Sequence, residues 1–123
     1  VTGEITMMGT SGYDEKMQTA ILAVRGRFVG SLAGRLEAMD RIMLQLEAGL
    51  VSDDALTHVA ADAHKIRGLA KTLGFAELGE LAGNVENAVD AFLAKADAAP
   101  ARAELFAMID ALLDQMDQVQ SGD

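Results

Sequence analysis

Apolar residues recur at alternating spacings of four and three in four separate stretches of this chain, and that rhythm limits its fold more than any other feature. The first stretch holds Leu32, Leu36, Met39, Met43, Leu46 and Leu50, and the second Leu56, Val59, Ala63, Ile66, Ala70 and Leu73. The third holds Phe75, Leu78, Ala82, Val85, Val89 and Phe92, and the fourth Leu105, Met108 or Ile109, Leu112, Met116 and Val119. Such spacing lines one face of an α-helix, and each stretch suffices for about four to six turns with one face to bury. The breaks are equally legible. Gly49 ends one stretch, and Ser52 or Asp53 can cap the next. Gly74 stands where a helix-ending glycine belongs, and Ala96 to Pro100 makes the last connection, with the proline suited to the first turn of the final helix. Short links force neighbouring helices to run antiparallel. The expected fold is therefore all-α, an antiparallel up-down four-helix bundle.

Upstream, Met17, Ile21, Val24 and Phe28 form a further stripe. Continuing its phase calls for apolar residues at 31 and 35, where the chain has Ser31 and Arg35, and Gly26 and Gly30 flank the slip. This predicts an additional short N-terminal helix folded over one end of the bundle. A single long kinked helix from about 14 to 49 is the alternative. Residues 1–12 lack periodicity and read as a flexible leader, which leaves a single helical-bundle domain over 13–120. A chain opening on Val1 is also expected to be a piece of a larger protein.

Composition narrows the function classes. At 123 residues with 50 % hydrophobic and 24 % charged residues, the chain can build one real core and is not disordered. It has no cysteine, hence no disulfide or thiolate metal site. No apolar run approaches the roughly 18 residues that span a bilayer, and no cationic segment leads into an apolar one as in a signal peptide. A net charge of −9 opposes nucleic-acid binding, which needs cations to displace phosphate counterions. The charge and the apolar pattern leave neither nucleic acid nor membrane as an expected partner, and the protein is expected to be cytoplasmic and monomeric. Against that acidic background, Lys65, Arg67 and Lys71 fall within seven residues of one another, beside His64.

His64 makes little sense as a packing residue. Its helical neighbours three and four positions away are Ala60, Ala61, Arg67 and Gly68. It lies roughly 130° from the middle of the stripe through Ala63, Ile66 and Ala70, on a flank or outer face. Gly68 costs a helix interior about 1 kcal/mol relative to alanine, and leaving room for something to approach His64 would account for it. His64 precedes Gly74 by ten residues and Glu86 follows it by twelve, so an antiparallel hairpin brings the two level. A carboxylate accepting from Nδ1–H would fix the tautomer and leave a lone pair on Nε2. An exposed, oriented imidazole with cations nearby is what a phosphoryl acceptor requires. Asp54, His58 and Asp62 share an i, i+4 spacing, but a metal-binding bundle draws Glu and Glu-x-x-His ligands inward from several helices, and that pattern is absent. His58 reads as an ordinary surface histidine.

The string His64-Lys65-Ile66-Arg67-Gly68, followed by Leu73-Gly74-Phe75, Leu78 and Val85-Glu86-Asn87, resembles the histidine phosphotransfer (HPt) domain. That family's pattern is His, two residues, Lys or Arg, Gly, then a second Gly six residues on. The resemblance covers most of residues 14–119, with its specific part in 60–87. It implies an antiparallel four-helix bundle with an extra N-terminal helix. It also implies that His64 is the phosphoacceptor, that Glu86 orients the imidazole, and that Gly68 gives the partner access. Arg67 stands in place of a common lysine that steadies the phosphoryl group, and Lys71 would add to the same charge stabilisation. Lys65 projects about 100° away from His64 and reads as solvated. Phosphorelay members often have glutamine where Glu86 stands, whereas chemotaxis-type kinases have glutamate.

The implied function is that of a phosphocarrier in two-component signalling. His64 would take a phosphoryl group from a response-regulator aspartate or a histidine-kinase catalytic domain and pass it to a receiver aspartate. The expected partners are thus a receiver domain and a histidine kinase. No cofactor is expected on the chain, since the Mg²⁺ belongs to the receiver, and nothing resembles a Gly-rich ATP loop. The domain would be an intermediate in transfer, without kinase activity of its own. The alternative is a non-phosphorylated helical-bundle adaptor that retains the scaffold.

Overall fold

The computed structural model describes the backbone of residues 2–50 and 52–122, with side chains from Asp14 onward within those ranges. All regular structure among them is helical: α1 (Thr2–Glu47), α2 (Asp53–Thr72), α3 (Ala76–Leu93) and α4 (Arg102–Gln120). No helix among the described residues is long and apolar enough to cross a membrane.

The helix ends form where the sequence places their chemistry. Ser52 caps α2, its side chain accepting from the amide of Ala55 at 3.1 Å, while Asp53 and Asp54 sit in the first turn and Lys71 in the last, each complementing the helix dipole. α1 closes at Gly49 (φ 81°), with the Leu50 amide donating to the Gln45 carbonyl at 2.8 Å, and α2 closes at Gly74 (φ 89°), with the Phe75 amide donating to Ala70 at 2.8 Å. α3 closes in the same way, with the Ala96 amide donating to Ala91 at 3.1 Å, but the residue in the left-handed position is Lys95 (φ 54°). Pro100 falls just before Ala101, the N-cap of α4, rather than inside the first turn.

The helices alternate in direction. Arg102 at the start of α4 donates to the Leu46 carbonyl near the end of α1 at 2.9 Å, which also satisfies one of the carbonyls a helix terminus leaves open. At the opposite end Phe28 of α1 packs on Phe75 beyond α2, with ring centroids 5.9 Å apart. Arg35 of α1 pairs with Asp62 halfway along α2. The core fills with Phe28, Leu32, Met39, Met43 and Leu46 from α1, Leu56, Val59 and Ile66 from α2, Leu78, Val85 and Val89 from α3, and Leu105, Ile109, Leu112 and Met116 from α4. No polar or charged side chain among the described residues is buried. Of the two candidates at one position, Ile109 is buried and Met108 packs at the edge. Leu50, expected on the first stripe, is exposed because Gly49 turns the chain away before it.

The N-terminal region corrects the expected architecture. No separate short helix forms: α1 runs unbroken for 46 residues, about 69 Å, while α2 to α4, at 18 to 20 residues, span about 27–30 Å. The phase slip does not break the helix, because spacings of four from Val24 to Phe28, Leu32 and Leu36 are a stutter that a helix of 3.6 residues per turn absorbs. A Cβ at Gly26, Gly30 or Gly34 would meet nothing within 4 Å, so these glycines mark no turn or close approach. Among the described side chains burial begins at Phe28, and the stripe before it does not fold back over the bundle. Met17 and Ile21 are each 48 % exposed and Val24 is 38 % exposed. The leader expected over residues 1–12 falls on positions whose side chains lie outside the described residues.

Candidate functional site

α2 and α3 pack against each other more extensively than any other pair of helices, and one register governs their contact. Lys71 lies against Gly79, Arg67 against Gly83, and His64 against Glu86. The residue numbers of each pair add to 150, so α3 runs back along α2 with no slip over this length. His64, Arg67 and Lys71 share a face of α2, and Gly79, Gly83 and Glu86 the opposing face of α3.

Glu86 ties the site together. Nδ1 of His64 stands 2.6 Å from Oε2 of Glu86, and a guanidinium nitrogen of Arg67 donates to Oε1 at 3.0 Å. Both carboxylate oxygens are therefore engaged, and the Glu86 side chain is only 15 % exposed, while that of His64 is 72 % exposed. A carboxylate accepts only, so the proton of a neutral ring sits on Nδ1 and the lone pair on Nε2. The ring is held at one nitrogen and presented to solvent at the other.

Around the ring the surface is low. Beside His64 a shallow open depression of about 430 Å³ is bordered by Thr57, Ala60, Ala61, Lys65 and Asp90. Gly68 is exposed, and a Cβ there would meet nothing within 4 Å. Its lack of a side chain thus serves no contact among the described residues. Leu69, next to it, is 43 % exposed.

Of the residues singled out in the sequence, His64, Glu86 and Arg67 are brought into direct contact. Lys71 is on the same side but one turn further on, exposed, and forms no ion pair among the described residues. Lys65 borders the depression. The Asp54, His58 and Asp62 series leads elsewhere: Asp62 is engaged by Arg35, and no group of three or more potential ligands among the described residues is placed to hold a metal. Sequence reasoning missed Gly79 and Gly83. Both are buried, and both face the stems of the two cations across the hairpin. The Gly-x-x-x-Gly spacing within the third stripe was the signal available.

In a comparison with known families, the model of the Hpt domain matches residues 24–122. No curated protein and no solved structure matches the chain.

Proposed function

Since the chain belongs to the Hpt domain family, and so to histidine phosphotransfer in two-component signalling, we propose that His64 is the phosphoacceptor and that its partners are a receiver domain and a histidine kinase. The observation that carries this reading is the pairing of His64 Nδ1 with Glu86 at 2.6 Å on a ring whose other edge is open.

The lone pair on Nε2 attacks the phosphorus of an aspartyl phosphate in line, on the side away from the carboxyl oxygen. The N–P bond forms, the P–O bond to the aspartate breaks, and the electron pair of that bond leaves as the free carboxylate. No proton is lost, because Nδ1 keeps its hydrogen, and the ring gains positive charge as the bond forms. Glu86 is already aimed at the atom where that charge is shared, so stabilisation requires no rearrangement. Arg67 offsets part of the Glu86 charge and leaves further guanidinium hydrogens for phosphoryl oxygens, and Lys71 adds a mobile cation. Return to a receiver aspartate is the same path reversed. The Mg²⁺ that neutralises the aspartyl site is expected on the receiver, and the ATP site on the kinase.

Incubation with a phosphorylated receiver tests the reading. The domain should acquire acid-labile, base-stable label that is lost in His64→Gln. Absence of label on the wild-type domain with its cognate receiver would refute phosphotransfer, and label surviving His64→Gln would move the acceptor elsewhere.

A further inference from the structure

Glycine is the poorest helix former after proline, yet α3 has two glycines one turn apart in its interior, both buried against α2. Closely packed helix backbones are the usual reason for such a pair, and Gly79 partly fits it. A Cβ there would meet Lys71 Cγ at 2.7 Å, but also the Lys71 backbone nitrogen at 3.4 Å and the Arg67 carbonyl oxygen at 3.5 Å. Gly83 is different. The three atoms nearest to its absent Cβ are Arg67 Cδ at 3.3 Å, Nε at 3.4 Å and Cζ at 3.7 Å, all in one side chain. The space at Gly83 therefore lies first against the root of a guanidinium, with no backbone atom among the three nearest.

That guanidinium is the group that donates to Oε1 of Glu86 at 3.0 Å, while Oε2 of the same carboxylate meets His64 at 2.6 Å. An arginine has a long stem with several torsions, and a half-exposed ion pair holds little by itself against that freedom. Lying in a groove removes much of the freedom before the ion pair is made. We propose that Gly83 is a positioning residue for the phosphoacceptor: the groove it leaves in α3 seats Arg67, which fixes the Glu86 carboxylate and through it the His64 ring. The assignment rests on His64 as the acceptor, but the placement of the ring is observable without any transfer.

The test follows the ring by ¹⁵N NMR on histidine-labelled protein, with exposed His58 as the internal reference. In Gly83→Ala, helical content and melting temperature should match or exceed wild type, since alanine favours the helix. The His64 Nδ1 resonance should nonetheless move toward that of His58, and transfer from a phosphorylated receiver should slow several-fold. Gly79→Ala, which displaces Lys71, should leave the His64 resonance in place. In an Arg67→Ala background, Gly83→Ala should have no further effect on either readout, because the pair acts as one unit. An unchanged His64 resonance in Gly83→Ala overturns the proposal, as does an equal shift in both backgrounds. Should Gly83→Ala alone fail to fold, the double variant must fold, because the side chain being struck is gone. An unfolded double variant also overturns it. A wild-type domain with the expected resonances but no label on His64 would instead refute phosphotransfer and leave the positioning role standing.

Discussion

The Glu86 carboxylate lies 2.6 Å from Nδ1 of His64, so the ring that stands out from the bundle is gripped from beneath by a neighbouring helix. Its second oxygen is held by Arg67 at 3.0 Å, which makes the orientation of the imidazole a property of two helices together.

Glu86→Ala should therefore slow phosphorylation of His64 by about tenfold or more, since an unoriented imidazole loses its fixed tautomer and the facing negative charge. Stability should fall by only about 0.5–1 kcal/mol, because the pairs it makes are partly exposed. Glu86→Gln should lie between the two, keeping an acceptor without the charge. Time courses of phosphotransfer beside thermal unfolding check this, and an unchanged rate would remove the orienting role.

Gly68 invites a pair of substitutions with opposite consequences. Gly68→Ala should stabilise α2 by up to about 1 kcal/mol, because the added methyl meets open space and alanine is the better helix former. Gly68→Gln should also fold normally, yet impede transfer from a receiver by occupying the approach to His64. Denaturant melts and transfer rates on both variants decide it, and full activity in Gly68→Gln would show that the glycine is not kept for access.

Lys95 takes a left-handed backbone conformation that disfavours any residue with a Cβ. Lys95→Gly should stabilise the domain by about 0.5–1 kcal/mol at the end of α3, with no change in transfer. A loss of stability in urea unfolding would mean that the lysine side chain makes a compensating contribution.

The two halves of α1 should respond differently to truncation. Leu32→Ala removes a fully buried side chain and should cost about 2–5 kcal/mol. Ile21→Ala, on the exposed stretch, should stay within about 0.5 kcal/mol. Comparable losses at both positions, measured by chemical denaturation, would mean that the upstream stripe is packed in solution.

Much of this arrangement is legible in the sequence. The pairing of His64 with Glu86 could be counted, because a hairpin closed at Gly74 has a fixed register and the rise per residue is constant. The bundle followed from the apolar rhythm for the same reason. The direction taken by Arg67 was not legible, since a rotamer depends on what lies opposite, and what lies opposite is the absent side chain of Gly83. Counting apolar stripes drew attention to Leu78, Ala82 and Val85 and passed over the glycines between them. The expected break near Gly26 and Gly30 failed because glycine lowers helix propensity without forbidding the helix, and the slipped phase needed no corner to absorb it.

The constant sum of 150 along the hairpin makes the connector from Leu73 to Phe75 a gauge for the chemistry two turns and more away. A shift of α3 by one residue along α2, about 1.5 Å, takes Glu86, Gly83 and Gly79 off their counterparts together. The acceptor, its carboxylate and both grooves are thus tuned in common by the one short turn that sets where α3 begins.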